Sequence, residues 1–371
     1  MLTIITKPTE NCNSNCVYCS VNDKSMKKEV MSDDVLTLFF TRIREFLAGS
    51  EESVNITWHG GEPMLVGTAF YEKVHRIQES VAGDFQNRIS HSMQSNLTIL
   101  SDGFCDIFKK LNIDQVGSSF EFLPNVRGIG KKVNSDLYER RFFQSVEKLE
   151  KWKIRWGVIY VVTSKSVGLG EDVLNYLINL VNQSGGIRLN PLYLEGEARK
   201  DDLKYLGLTA EQFGHFLGKC FVSWYPRRKV YPLVQPFEGF LNFILGTSNT
   251  LCCDESGTCG SSHLGVDPQG NIYQCGRSMD TKVLKYGHLA THDFQNVFRH
   301  ELKDRLNNRS QFLTETECRD CRFFKFCHGG CPVDGFIYRD DWFKKTIWCE
   351  ARKIFLEQYF EPTLNLRLGD S

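Results

Sequence analysis

The sequence predicts an α/β fold: a parallel sheet curved into a partial (β/α)6 TIM-type barrel, followed by a cysteine-rich domain. Two observations carry this. Before residue 235, short β-branched runs alternate with amphipathic helical ones, and nine of the fourteen cysteines fall after residue 251. Parallel strands need long crossover connections, usually helices, so the alternation implies parallel pairing with right-handed crossovers. In such folds the chemistry gathers at the C-terminal ends of the strands. The expected division is a barrel over residues 1–235 and a cysteine-rich domain with a C-terminal helix over 236–371.

The units follow in order. Leu2 to Thr6 reads as the first strand and Asp33 to Leu47 as its helix; Val54 to Trp58 precedes Ala69 to Val81, and Ile89 to Gln94 precedes Asp102 to Leu111. Gln115 to Phe120 then leads to Leu137 to Trp152, Arg155 to Thr163 to Asp172 to Asn182, and Ile187 to Leu192 to Ala210 to Trp224. No internal repeat or low-complexity tract interrupts the pattern.

Composition excludes several classes. Lys plus Arg and Asp plus Glu both total 45, so nothing electrostatic argues for nucleic acid or an anionic membrane as partner. There is no run of eighteen apolar residues and no signal-peptide pattern in Met1 to Lys7, so a soluble, cytoplasmic protein is expected. Fourteen cysteines in a long chain with no export signal point to metal binding or catalysis rather than disulfides.

Directly after the first strand, Cys12, Cys16 and Cys19 form a C-x3-C-x2-C loop. Three thiolates in one short loop suit three corners of a four-iron cube and leave one iron without a protein ligand. Thiolates also select zinc or copper(I), but structural zinc prefers four closed ligands, and no fourth lies nearby. After the second strand comes His59-Gly60-Gly61-Glu62-Pro63. Paired glycines at a strand end allow a ligand or another backbone to approach closely. The cysteine spacing, with Tyr18 before the last cysteine, and the Gly-Gly-Glu-Pro segment together resemble the radical SAM superfamily. That resemblance implies a [4Fe-4S] cluster on Cys12, Cys16 and Cys19, and S-adenosylmethionine held by Tyr18, Gly60, Gly61, Glu62, Ser119 and Leu192.

The C-terminal third carries Cys252-Cys253, Cys259, Cys275, then Cys318-x2-Cys321-x5-Cys327-x3-Cys331, and Cys349. This pattern resembles the SPASM domain, and the whole chain is similar to the anaerobic sulfatase-maturating enzymes and to ribosomal-peptide maturases. The likeness to the sulfatase-maturating enzymes includes Val161 to Ser164 and Phe237 to Leu241. It implies two auxiliary [4Fe-4S] clusters, one on Cys253, Cys259, Cys275 and Cys331, the other on Cys318, Cys321, Cys327 and Cys349, for three clusters in all. Cys105 and Cys220 lie among apolar neighbours in expected helices and read as small core residues. Cys252 abuts Cys253, and only the six-residue step to Cys259 favours its neighbour. A zinc ribbon over Cys318 to Cys331, with His328 nearby, is the competing reading of that run.

Two departures bear on the reaction. In the family the third auxiliary cysteine is followed by an aspartate proposed to remove a substrate proton, whereas Cys275 is followed by Gly276 and Arg277. After the fourth strand the chain reads Ser119-Phe120-Glu121-Phe122 where the family often has Ser-x-Asp-Gly. Glu121, His59 and His91 are the candidate proton-transfer groups, with pairing to Arg127 competing for Glu121 and hydrogen-bonded support roles competing for the histidines.

The expected activity is hydrogen abstraction from a peptide or protein side chain by a 5'-deoxyadenosyl radical. The departure after Cys275 favours a ribosomal-peptide maturase that crosslinks side chains. A sulfatase-maturating, formylglycine-forming enzyme is the alternative, and a non-catalytic zinc-binding adaptor the distant one. Expected partners are a precursor peptide or protein substrate and an electron donor such as flavodoxin or ferredoxin. With only a few residues before the first strand, no fused leader-binding domain is expected, and a separate leader-binding protein is a further candidate partner.

Overall fold

A computed structural model describes residues 1–20, 29–130, 133–182, 184–247 and 251–368. The chain divides into two compact units, each built from discontinuous segments. The first comprises Met1–Gly157, Tyr193–Leu203 and Ser261–Lys303; the second comprises Val158–Leu192, Lys204–Gly260 and Asp304–Ser371. Residues 261–303, part of the cysteine-rich stretch by sequence, thus pack in the first unit.

In the first unit β1 (Leu2–Thr6), β2 (Val54–Trp58), β3 (Ile89–Gln94) and β4 (Gln115–Ser119) pair in parallel and in sequence order. Leu2, Ile4, Val54, Ile56 and Trp58 are buried on one face, alternating with less buried positions as the period of two requires. The other edge of β1 is covered by residues distant in sequence. Strand β8 (His263–Val266) pairs with β1 in parallel, from Thr3 opposite His263 to Thr6 opposite Val266, and β9 (Asn271–Tyr273) and β10 (Lys285–His288) continue antiparallel. An open apolar strand edge is a pairing hazard, and this addition removes it.

The crossovers are helices α1 (Asp33–Ala48), α2 (Thr68–Ala82), α3 (Asp102–Lys110) and α4 (Ser135–Lys151). Their starts are marked by local chemistry. Ser32 accepts from Val35 N, Ser101 from Phe104 N and Asn134 from Leu137 N, three side-chain caps worth about 1 kcal/mol each. Each helix buries one apolar stripe, such as Leu36, Phe39, Phe40 and Ile43 of α1.

In the second unit, residues 158–162 of β5 (Arg155–Val162) pair in parallel with β6 (Ile187–Pro191), which pairs with the two-residue β7 (Val234–Gln235). Helices α5 (Gly170–Val181) and α6 (Ala210–Trp224) pack together, and Cys349–Ile354 with the following turn packs on α6. The core here is aromatic: Phe221 lies 4.9 Å from Phe360 and 5.3 Å from Phe237, and Phe237 stacks on Phe355 at 5.6 Å between ring centroids. Among the described residues no helix is long and apolar enough to cross a membrane.

Candidate active site

The ends of β1 and β2 are zipped together beyond the strands themselves. His59 N donates to Thr6 O at 3.0 Å, Gly61 N to Thr9 O at 3.2 Å and Glu62 N to Asn11 O at 2.8 Å. The Gly-Gly pair is required by this approach. A Cβ at Gly61 would lie 2.1 Å from Asn11 O, and one at Gly60, whose φ is +138°, would lie 2.4 Å from Thr9 O. The glycines therefore bring the two expected motifs together, with the backbone of one lying directly against the other.

Glu62 is wholly buried and fixes the end of β3 to this junction. Its carboxylate accepts from Met64 N at 2.9 Å, Ser95 Oγ at 2.8 Å and Asn96 N at 2.7 Å. Burial raises its pKa to about 7 in spite of these three donors, because no cation shares the site. Asn96, which the sequence did not mark as a site residue, then reaches the cysteine loop: its Nδ2 donates to Asn13 Oδ1 at 2.9 Å and to Ser14 Oγ at 3.0 Å, and lies 3.8 Å from Cys12 Sγ.

The cysteine loop is braced on its other side by the segment after β4. Asn15 N donates to Gly128 O at 2.7 Å, Val17 N to Val126 O at 3.0 Å, and Ser14 bridges Ile129 in antiparallel sense. That register sets Cys16 directly opposite Arg127. Arg127 Nε donates to Glu121 Oε2 at 2.7 Å, its other nitrogens reach the Tyr18 and Tyr138 hydroxyls, and its guanidinium lies 5.4 Å from both tyrosine rings. Glu121 also accepts from Tyr18 OH. It is an ion-pair partner here, and the competing reading of its role matches the geometry. Ser119 ends β4, its carbonyl accepting from Tyr138 OH at 2.9 Å.

Cys12 is exposed on the loop, yet partial desolvation of its thiol, with the negative charges of Glu62, Cys16 and Cys19 adding to the rise, pushes it up to about 12. Three cysteines in so short a loop fit a metal cluster, whose positive charge deprotonates coordinating thiols. Both candidate histidines are hydrogen-bonded to neighbouring groups. His59 Nδ1 accepts from Gly60 N at 2.7 Å, and burial lowers its pKa against the opposing pull of Asp280. His91 accepts from Trp58 Nε1 at 3.1 Å through Nδ1 and bonds Gln78 Oε1 at 2.7 Å through Nε2.

Two ion pairs in this unit escaped the sequence reading. Glu195 is held by Arg277, whose Nε lies 3.1 Å from Oε2 and whose guanidinium lies 3.8 Å from the Tyr193 ring centroid. Asp280, in the short helix Gly276–Thr281 that follows Cys275, pairs with buried Lys7 and accepts from Ser20 Oγ at 2.8 Å. Burial pushes Asp280 up, but Lys7 outweighs it and holds the carboxyl below its ordinary range.

In the second unit Cys318 is pushed up to about 11 by burial and by the nearby charges of Cys327, Cys349 and Cys321, so these four lie close together. Cys253, Cys259 and Cys331 also belong to this unit, Cys275 to the first, and Leu192 follows β6 with its side chain buried. Cys252 Sγ accepts from Arg188 at 2.6 Å, and its sulfur and the carboxylates of Asp254 and Glu255 lie within 4.8 Å of one another. Arg188 and Arg352 both pair with Asp254, so this cluster is an ion-pair network centred on arginine. Cys105 and Cys220 are buried, the latter donating to Gly170 O at 3.2 Å.

The family model of the radical SAM superfamily matches residues 6–172. The chain contains a radical SAM domain. A cysteine-type anaerobic sulfatase-maturating enzyme of Clostridium perfringens is 26% identical to the chain over 98% of both chains. A serine-type anaerobic sulfatase-maturating enzyme of Bacteroides thetaiotaomicron is 25% identical, over 88% of this chain and 81% of that one. Among solved structures, anSMEcpe with bound AdoMet superposes at TM-score 0.82 with 21% identity over 98% of each chain. SuiB of Streptococcus suis bound to its precursor peptide SuiA gives 0.60 with 14% identity over 93% and 74%. Both likenesses establish a shared radical SAM α/β fold.

Proposed function

We propose that this radical SAM enzyme oxidises a cysteine or serine side chain of a protein to formylglycine, as a sulfatase-maturating enzyme. The observation that carries the reading is the end-to-end similarity to the Clostridium perfringens enzyme, 98% of both chains. This reverses the order expected from sequence, where a crosslinking peptide maturase stood first; the similarity to SuiB is confined to the fold. The crosslinking reading keeps one specific support, Gly276 and Arg277 after Cys275.

A reduced four-iron cluster with S-adenosylmethionine supplies a 5'-deoxyadenosyl radical. Cys12, Cys16 and Cys19 would hold the cluster, and Gly60, Gly61, Glu62, Tyr18, Ser119 and Leu192 the S-adenosylmethionine. The close approach of Gly61 to Asn11 would hold the cysteine loop and the Gly-Gly-Glu-Pro segment in fixed register. Cys318, Cys321, Cys327 and Cys349 would hold an auxiliary cluster, and the remaining set of four a second. Substrate and electron donor are a sulfatase-type protein segment and a small flavodoxin- or ferredoxin-like protein.

The test is anaerobic reconstitution, then incubation with S-adenosylmethionine, a reductant and peptides bearing a target cysteine or serine. Formylglycine appears as a peptide aldehyde trapped by a hydrazide, with a sulfur-to-oxygen exchange for cysteine. Loss of two hydrogens with no trappable aldehyde identifies a crosslink and overturns the reading.

A further inference from the structure

Arg309 opens the helix Arg309–Glu315 of the second unit and is 4% exposed. All its donors go to main-chain oxygens. Nε bonds Trp342 O at 2.7 Å, Nη1 bonds Gly330 O at 2.8 Å and His328 O at 3.4 Å, and Nη2 bonds Lys344 O at 2.7 Å and Gly329 O at 3.2 Å. Among the described residues no carboxylate forms an ion pair with it. Other arginines differ: buried Arg127 has Glu121, and the part-exposed Arg188 and Arg352 share Asp254.

A buried guanidinium without an anion is costly, by several kcal/mol, even when its protons are all bonded. The acidic groups near Arg309 are mostly cysteines. Burial lowers its pKa, and the charges that oppose this most are those of Cys331, Cys259 and Cys318, ahead of Asp334. The turn it clasps, His328 to Gly330, separates Cys327 from Cys331, and its three residues all have positive φ. Thiolates on a four-iron core give a site of net negative charge, so cluster loading would provide the missing anion.

We propose that Arg309 is a buried counter-charge for the auxiliary iron–sulfur cysteines, clasping the His328–Gly330 turn while neutralising charge gathered on Cys259 and Cys331 of one ligand set and Cys318 of the other. This rests on the auxiliary-cluster reading above. A fixed cation beside a cluster favours its reduced form, so Arg309 raises the auxiliary reduction potential.

The full chain with Cys12→Ala, Cys16→Ala and Cys19→Ala isolates the auxiliary signal. In that background, Arg309, Arg309→Lys and Arg309→Met are reconstituted anaerobically, assayed for iron and titrated under paramagnetic resonance. The expected result is an at least tenfold smaller reduced-to-oxidised ratio at fixed potential in Arg309→Met, about 59 mV for one electron, with Arg309→Lys near the parent. Full iron with an unchanged midpoint in Arg309→Met overturns the inference. Should Arg309→Met fail to load iron, loading by Arg309→Lys with the parent midpoint supports a need for charge. Failure of both variants assigns Arg309 to the turn alone and overturns it. Absence of iron while Arg309 is intact instead removes the auxiliary-cluster reading itself.

Discussion

His91 makes folding stability sensitive to mild acid. Burial lowers its pKa to about 3, with neighbouring His75 adding to the fall, whereas an unfolded histidine titrates near 6.5. The folded state therefore keeps His91 neutral where the unfolded chain binds a proton. Stability from this group is fully present above 6.5 and is lost as the pH falls toward 3. At pH 5 the loss is about 1.5 pH units at 1.36 kcal/mol each, roughly 2 kcal/mol. The perturbation is His91→Gln, which keeps a polar group between Trp58 and Gln78 and removes the titration. Urea unfolding of both proteins, anaerobic and cluster-loaded, at pH 7.5 and 5 gives the answer as a difference of differences, so that carboxylates common to both cancel. The variant is less stable at pH 7.5, and its deficit shrinks by about 2 kcal/mol at pH 5. A deficit constant to within about 0.5 kcal/mol, the usual error of additivity, refutes a dry neutral imidazole at this position.

Three further perturbations probe the site. Gly61→Ala places a Cβ 2.1 Å from Asn11 O, forces the two loops apart at a cost of about 1–3 kcal/mol or more, and lowers both iron content and S-adenosylmethionine binding, read by iron assay and calorimetry. Glu62→Gln turns an amide toward donors that need an acceptor, costs about 1–3 kcal/mol, and removes the component of stability that declines as pH rises from about 4.5 to 7, measured by melting across that range. Arg277→Ala strands buried Glu195 and costs about 3–5 kcal/mol, while the double change with Glu195→Gln recovers part of the loss in the same melting experiment.

The strands and helices of the barrel were legible because each satisfies a local rule. Expected and observed bounds coincide for Leu2–Thr6, Val54–Trp58, Ile89–Gln94 and Ala210–Trp224, where β-branched alternation or a Thr209 capping box sets the end. Gly60 and Gly61 were legible as a close approach, but what approaches was not, since Asn11 O lies in another loop. The pairings that escaped join segments distant in sequence. Glu195 meets Arg277 across 82 positions and Arg127 meets Tyr18 across 109, and neither pairing follows from a period, a cap or a turn. The placement of β8 beside β1 escaped for the same reason: a short run, His263–Val266, becomes a strand because an apolar edge is there to receive it.

These ion pairs narrow where a proton acceptor for side-chain oxidation can be found. Three carboxylates of the first unit are already matched with cations: Glu121 with Arg127, Glu195 with Arg277 and Asp280 with Lys7. Asp280 occupies the helix that begins after Cys275, but Lys7 holds it below the ordinary carboxylate range, which makes it a weak base at neutral pH. Glu62 has the suitable pKa, about 7, yet both its oxygens accept from Met64, Ser95 and Asn96, and taking a proton would break that junction. Arg277, close to Cys275, carries no basic lone pair at all. Under the proposed reaction, these residues would leave deprotonation of an oxidised substrate to some other acceptor, such as one brought in with the substrate or by solvent. Turnover would accordingly show no ionisation belonging to these paired carboxylates, and Glu121→Gln would act through S-adenosylmethionine affinity, by loosening Tyr18 and Arg127, with the pH profile of the chemical step unmoved.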